Sequence, residues 1–227
     1  MSQLLQPTYL KTLCKKYALT PSKQYGQNYL VSEGAIQKIV EAADISKTDL
    51  LVEVGPGFGV LTLALAKTGA SIKTFEIEKK LQPYWDEMQQ KYSNVHVVWG
   101  NVLHMFKKEQ ADFKKPYKVV ANLPYPITSQ IIRLFLEQEQ PPERMVVMVQ
   151  KEVAERIVAK PWDMSVLAVS VQYFGTPKII TKVASGSFWP APKVDSAVLA
   201  ITNIQPRKES ALFFRVVRAG FASKRKQ

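Results

Sequence analysis

The chain has 227 residues, 46% of them hydrophobic, which suffices to bury the core of one large domain with at most a small appendage. Its net charge of +12, carried without a low-complexity tail, points to a polyanionic partner, nucleic acid ahead of a membrane surface. A single cysteine, Cys14, excludes an internal disulfide, and a chain with only two histidines, His96 and His104, is a poor fit to a His-based triad or a zinc centre.

The first 30 residues are basic and irregular apart from a short helix expected over 8–17. An amphipathic helix is predicted from Ser32 or Glu33 to Ala43, then a buried strand over 49–54 ended by glycine. A helix over 60–67 stops at Gly69, a second strand follows over 71–77, and a helix over 80–92. The third strand is expected at 95–99, the fourth at 118–121, a helix over 127–137 and the fifth strand at 145–149. Residues 152–160 and 166–174 read as helices, 178–184 and 194–204 as an antiparallel pair closing the sheet, and 211–221 as a basic amphipathic helix. Strands alternating with helices predict an α/β fold with a mainly parallel seven-stranded sheet covered on both faces. Ligands of such folds sit at the carboxyl ends of the strands, near the switch point.

Basic residues gather near both ends: Lys11, Lys15, Lys16 and Lys23, then Arg207, Lys208, Arg215, Arg218, Lys224, Arg225 and Lys226. No apolar run is long enough to span a bilayer, and the early lysines break any signal-peptide core. A cytoplasmic, metal-free monomer is the expectation.

Two loops carry chemistry. Glu53-Val54-Gly55-Pro56-Gly57-Phe58-Gly59 joins the first strand to a helix, and its glycines let the backbone approach a ligand. A glycine triplet alone also suits a dinucleotide or a tight turn. The G-x-G-x-G spacing without a Walker lysine favours S-adenosylmethionine, as does Glu76 at the end of the second strand, where it can accept ribose hydroxyls. The rival is Glu78, and the plain alternative for Glu76 is a surface carboxylate beside Lys79 and Lys80.

The second loop is Asn122-Leu123-Pro124-Tyr125, between a strand and a helix. Taken alone it could be an ordinary turn. Chemically it can hold a purine amine. The side-chain oxygen of Asn122 and a backbone carbonyl at Leu123 or Pro124 can accept both N–H groups and localise the nitrogen lone pair. Tyr125 can stack on the base for roughly 1–3 kcal/mol. No strong base is demanded, since the product amine can lose its proton to water, which fits the shortage of histidines. Phe188, in Ser187-Phe188-Trp189-Pro190-Ala191-Pro192, can cover the other base face or be a core aromatic, with Trp189 as its rival.

Seven stretches together resemble the small-subunit ribosomal RNA adenine dimethyltransferases: GQNYL at Gly26, EVGPGFGVLT at Glu53, FEIEKKL at Phe75, NLPYPIT at Asn122, QKEVAERIVAKP at Gln150, FWPAPKVDSAV at Phe188 and FFRVVRAGFASKRK at Phe213. The resemblance implies a Rossmann-like, class I methyltransferase that uses S-adenosylmethionine to dimethylate two adjacent adenosines in a hairpin loop near the 3′ end of small-subunit rRNA. It implies that Gln27, Asn28 and Leu30 contact the cofactor, Gly55 its methionine part with Gly57 and Gly59 in the same loop, and Glu76 its ribose. Ile77, Asn101 and Val102 complete the cofactor set. Asn122 and Tyr125 would serve both methyl donor and target amine, and Phe188 would stack on the target base.

Three departures from the family stand out. Gly100-Asn101 replaces the usual aspartate after the third strand. Asn101 can still accept through its carbonyl oxygen, so weaker cofactor binding is expected rather than none. The segment 160–165 is shorter than the family's loop on the RNA side. Residues 1–206 are expected to form the methyltransferase domain, and 207–227 the start of a shortened helical RNA-binding domain. Two alternatives remain open at this point: a macrolide-resistance-type methyltransferase of large-subunit rRNA, and a ribosome-assembly factor with weak catalysis.

Overall fold

Strands form where apolar runs are long enough to be buried on both sides. Met145 through Val149 are fully buried, as are Leu51, Val52, Val119, Val120 and Ala121, the pattern of a sheet with helices on both faces. A computed structural model describes residues 2–22, 26–109, 113, 115–207 and 210–222. Of the terminal basic residues, Lys23, Lys208, Lys224, Arg225 and Lys226 lie outside these.

The chain runs through α1 (Pro7–Lys16), β1 (Tyr29–Leu30), α2 (Glu33–Ala43), β2 (Leu50–Val54), α3 (Val60–Ala66) and β3 (Ser71–Glu76). It continues through α4 (Gln82–Lys91), β4 (Val95–Trp99), α5 (Val102–Lys108), β5 (Tyr117–Asn122), α6 (Thr128–Leu136) and β6 (Arg144–Gln150). Last come α7 (Lys151–Ile157), α8 (Val166–Phe174), β7 (Thr176–Val183), β8 (Phe188–Trp189), β9 (Ser196–Thr202) and α9 (Ser210–Ala222). Serines start two of the helices by accepting a backbone N–H: Ser32 from Ala35 at 3.4 Å and Ser165 from Ala168 at 3.2 Å.

Seven strands form one sheet in the order β4-β3-β2-β5-β6-β9-β7. Neighbours from β4 to β6 are parallel, while β9 runs antiparallel to both β6 and β7. This is the expected mainly parallel sheet with a terminal antiparallel pair. One face packs Leu51, Val120 and Met148 against Ile39, Leu65 and Trp85 from α2, α3 and α4. The other packs Val52, Val119 and Val147 against Phe106, Phe135 and Val171 from α5, α6 and α8. The chain steps outward from β2 to β3 to β4, then returns to lay β5 on the opposite flank of β2. That reversal opens a crevice beyond the carboxyl ends of β2 and β5.

The structure corrects several expected boundaries. Helix α5 lies between the third and fourth expected strands, where no element was predicted; its Val102, Met105 and Phe106 repeat at helical spacing but span under two turns. Helix α7 stops at Ile157 rather than residue 160, because Pro161 disfavours helical geometry at Lys160. A 3₁₀ turn over Lys79–Leu81 precedes α4, whose first turn holds Pro83. A two-stranded ribbon pairs Tyr29 with Trp189 and Leu30 with Phe188. His96 and His104 are both exposed. Among the described residues no helix is long and apolar enough to cross a membrane, and no group of three His, Cys, Asp or Glu residues can hold a metal.

One carboxyl is buried in the sheet beside the crevice. Glu53, next to last in β2, is 1% exposed. Its Oε2 accepts the hydroxyl of Thr62 on α3 at 2.7 Å. Burial pushes this carboxyl up to about 8, against the smaller opposing effect of the threonine bond.

Two outcomes follow for stability. Phe135 is fully buried and meets the Phe106 ring at 4.8 Å. Phe135→Ala should therefore lower the free energy of unfolding in urea by about 3–5 kcal/mol. Glu53 keeps its proton in the folded state where the unfolded chain has lost it, so the stability it confers is full below the ordinary carboxylate value and drains as pH rises towards about 8. Glu53→Gln, which cannot ionise, should melt close to the parent near about pH 4 and above it at about pH 8, by on the order of 2–4 kcal/mol. Thermal melts across that range check it.

Candidate active site

A cavity of about 300 Å³ opens at the carboxyl ends of four neighbouring strands, the lower end of the range for small-molecule sites. Gly55 and Gly57 enter it from β2, Glu76 and Ile77 from β3, Asn101 and Val102 from β4, and Asn122 and Pro124 from β5. Gln27, Asn28 and Leu30 line it from around β1. The glycine loop and the Asn-Leu-Pro-Tyr loop thus face one space.

The loop after β2 needs glycine for two separate reasons. Gly55 has φ +70 and nothing within 4 Å of where a Cβ would stand, so its bare backbone borders open cavity. Gly57 has φ +55, and a Cβ there would lie 2.9 Å from the Tyr29 ring. Glu76 fastens this loop to β3. One carboxylate oxygen accepts the Gly57 N–H at 3.0 Å and the other accepts the Glu78 N–H at 2.8 Å. Burial nevertheless raises the Glu76 carboxyl above its ordinary value, since these N–H bonds only partly offset the loss of water. The rival Glu78 caps the turn at Lys80 instead, accepting its N–H at 3.2 Å.

On the opposite side the N-terminal segment lies over the β5 loop. A Cβ on Gly26 would meet Pro126 at 3.1 Å and the Tyr125 nitrogen at 3.2 Å. Gln27 is anchored through its side-chain oxygen, which accepts the Ser22 N–H at 2.8 Å. The Asn122 Nδ2 donates to the Asn28 carbonyl at 3.2 Å. Its Oδ1 is thereby turned the other way, as a free acceptor.

Asn101 has the reverse orientation. As the residue before α5, it accepts the Leu103 N–H on Oδ1 at 3.0 Å. The start of the helix engages this oxygen once, which leaves it a second lone pair.

Four expected residues stand outside the cavity wall. Gly59 begins α3 with φ +82, and its α-carbon faces the Trp85 ring, which a Cβ would meet at 3.0 Å. The Leu123 side chain is 1% exposed and packs in the core. Tyr125 is half-buried and held through its hydroxyl by Ser196 at 2.7 Å. Phe188 is 4% exposed, because β8 pairing with β1 turns its ring into the core.

Glu53 lines the cavity and was given no role from sequence. An acidic residue inside an otherwise apolar buried strand was the available signal. No lysine, arginine or histidine among the described residues lines this wall, while two buried carboxyls do. Such a wall, without basic side chains and with carboxyl oxygens among its polar atoms, fits a ligand that carries hydroxyl groups.

Comparison with known proteins agrees with this geometry. The profile of the ribosomal RNA adenine dimethylase family matches residues 19–227. A ribosomal RNA small subunit methyltransferase A from Dehalococcoides mccartyi is 42% identical over 220 residues, spanning 95% of this chain and 76% of the relative. A dimethyladenosine transferase from Plasmodium falciparum superposes with a TM-score of 0.72 at 27% identity, over 86% of this chain and 71% of that one. The 23S rRNA methyltransferase ErmE gives 0.71 at 26% identity, over 86% and 81%. With a Rossmann-like methyltransferase sheet, a shared crevice and a match over most of its length, this chain belongs to the ribosomal RNA adenine dimethylase family.

Proposed function

We propose that this chain dimethylates the N6 amines of two adjacent adenosines in a 3′-terminal hairpin loop of small-subunit rRNA, with S-adenosylmethionine as donor. One observation carries this reading: Gly55 and Asn122, at the tips of adjacent strands, border a single cavity. The donor supplies an electrophilic methyl on a sulfonium. Gly55 and Gly57 give it close backbone approach, and the Glu76 lone pairs not used by Gly57 and Glu78 accept its ribose hydroxyls. Asn28 and Leu30 cover it, and Ile77, Asn101 and Val102 border its base.

At the reacting end, the Asn122 Oδ1 accepts one N–H of the target amine. Pro124's carbonyl is engaged twice, by the Ile127 N–H at 3.2 Å and the Thr128 hydroxyl at 3.1 Å. The second acceptor is therefore the Leu123 carbonyl, from the same loop. Two acceptors on one amine pull its lone pair out of the purine ring and aim it at the methyl group. Stacking on the base is assigned to Tyr125, which is half-buried in the same loop as Asn122, ahead of the more deeply buried Phe188. Arg215 and Arg218 on the exposed side of α9 serve the rRNA backbone. This assigns α9 to the RNA-binding part of the chain.

The name of the Dehalococcoides relative favours the small subunit, while the likeness to ErmE keeps large-subunit rRNA as a second substrate to test. Undermethylated 30S subunits and 50S-derived RNA, each incubated with chain and donor, should yield dimethyladenosine by mass analysis in the 30S sample alone. Product in the 50S sample would move the assignment to the large subunit, and none in either would overturn it. Asn122→Ala should lower turnover on 30S by roughly 10²–10³-fold. An unchanged rate would remove Asn122 from the reacting centre.

A further inference from the structure

Folding does not explain why residue 162 is a tryptophan. Its side chain is 99% exposed, whereas Trp85 is fully buried and Trp99 and Trp189 are half-buried. The Asp163 N–H donates to the Lys160 carbonyl at 3.2 Å, so Lys160-Pro161-Trp162-Asp163 is a β-turn with proline at its second position. Trp162 occupies the third position at φ +82, where such a turn favours glycine. A bulky side chain there costs backbone strain and adds nothing to the core.

The turn is nonetheless tied down on both sides. Gln172 of α8 donates to the carbonyls of Ile157 and Ala159 at 2.8 and 2.9 Å. Ser165 starts α8 immediately after it. The ring is thus presented outward from a fixed base, well away from the residues that line the methyl-transfer cavity. An open apolar depression joins Pro161, Trp162 and Met164 to Phe221 on α9. Cations flank it: Arg156 and Lys160 are exposed ahead of Trp162, and Arg218 is exposed three residues before Phe221, with Asp163 the acidic residue of the turn.

A flat exposed ring among guanidinium and ammonium groups suits an unpaired nucleobase, which stacks on the indole while the cations meet its phosphates. A second copy of this chain fits less well, because a symmetric contact would bring these like charges face to face. We propose that Trp162 is a stacking platform for an unpaired base of the RNA substrate, an accessory contact outside the reacting centre. The inference rests on the RNA substrate proposed above. Because the turn fixes the ring beforehand, little order is lost when the base arrives.

Fluorescence anisotropy of a labelled oligouridylate of about ten nucleotides, and of an RNA duplex of equal length, tests this. Trp162→Ala should bind the single strand about tenfold more weakly than the parent. Both proteins should bind the duplex alike, since its bases are already stacked and only its phosphates are on offer. Trp162→Gly should lose the same affinity yet melt no lower than the parent, because glycine relaxes the turn; that combination separates recognition from folding. Equal affinity of parent and Trp162→Ala for the single strand would refute the inference, as would a parent that does not bind it. A dimer in sedimentation without RNA that Trp162→Ala dissolves would assign the ring to self-association and equally overturn it. Methyl transfer to 30S by the parent is read separately, so the proposed function can stand while this inference fails.

Discussion

The contact between β2 and β5 is the constraint on which the site depends. A right-handed parallel sheet built outward from β2 has one free flank on that strand, and only a return crossing can fill it. Pairing Leu50, Leu51 and Val52 with Tyr117, Lys118 and Val119 sets the two strands in register. Once they are, Gly55 and Asn122 must end side by side. The shared space between the glycine loop and Asn122 is a consequence of what leaves those two strand tips.

Charge is organised around the same place in a way the total does not reveal. The chain carries +12 overall, yet the cavity wall holds two buried carboxyls and no basic side chain among the described residues. A basic exterior favours a polyanion, and a pocket wall without basic side chains does not repel a cation. The two demands coexist because burial and the glycine loop keep Glu53 and Glu76 away from the surface lysines. Glu76 also has a structural duty, since its bonds to Gly57 and Glu78 hold the loop in the shape that leaves Gly55 bare.

Much of this was legible in the residues. Strands buried on both faces show as unbroken apolar runs, so β2, β5 and β6 were found within a residue or two. The two loops were legible because glycine, proline and asparagine at strand ends have few other uses. The ribbon of β1 and β8 was not, as two-residue strands have no periodicity and their partners lie about 160 residues apart. That pairing is also what turns Phe188 inward, in keeping with the core alternative that its sequence left open. The sense of the Asn101 amide was also hidden, since it depends on α5, whose seven residues are too few for a clear helical pattern.

The ribbon has a further implication. It holds Asn28 and Leu30 in place through Phe188, Trp189 and a Val31 N–H bond to the Ser187 carbonyl at 2.8 Å. Part of the pocket's cover, near the amino terminus, is therefore fastened by a segment made more than four-fifths of the way along the chain. During synthesis the glycine loop, the β3 carboxylate and Asn122 all emerge before that fastening exists. A nascent chain still short of residue 189 can therefore tie Asn28 to Asn122 but lacks the ribbon that fastens the rest of the cover.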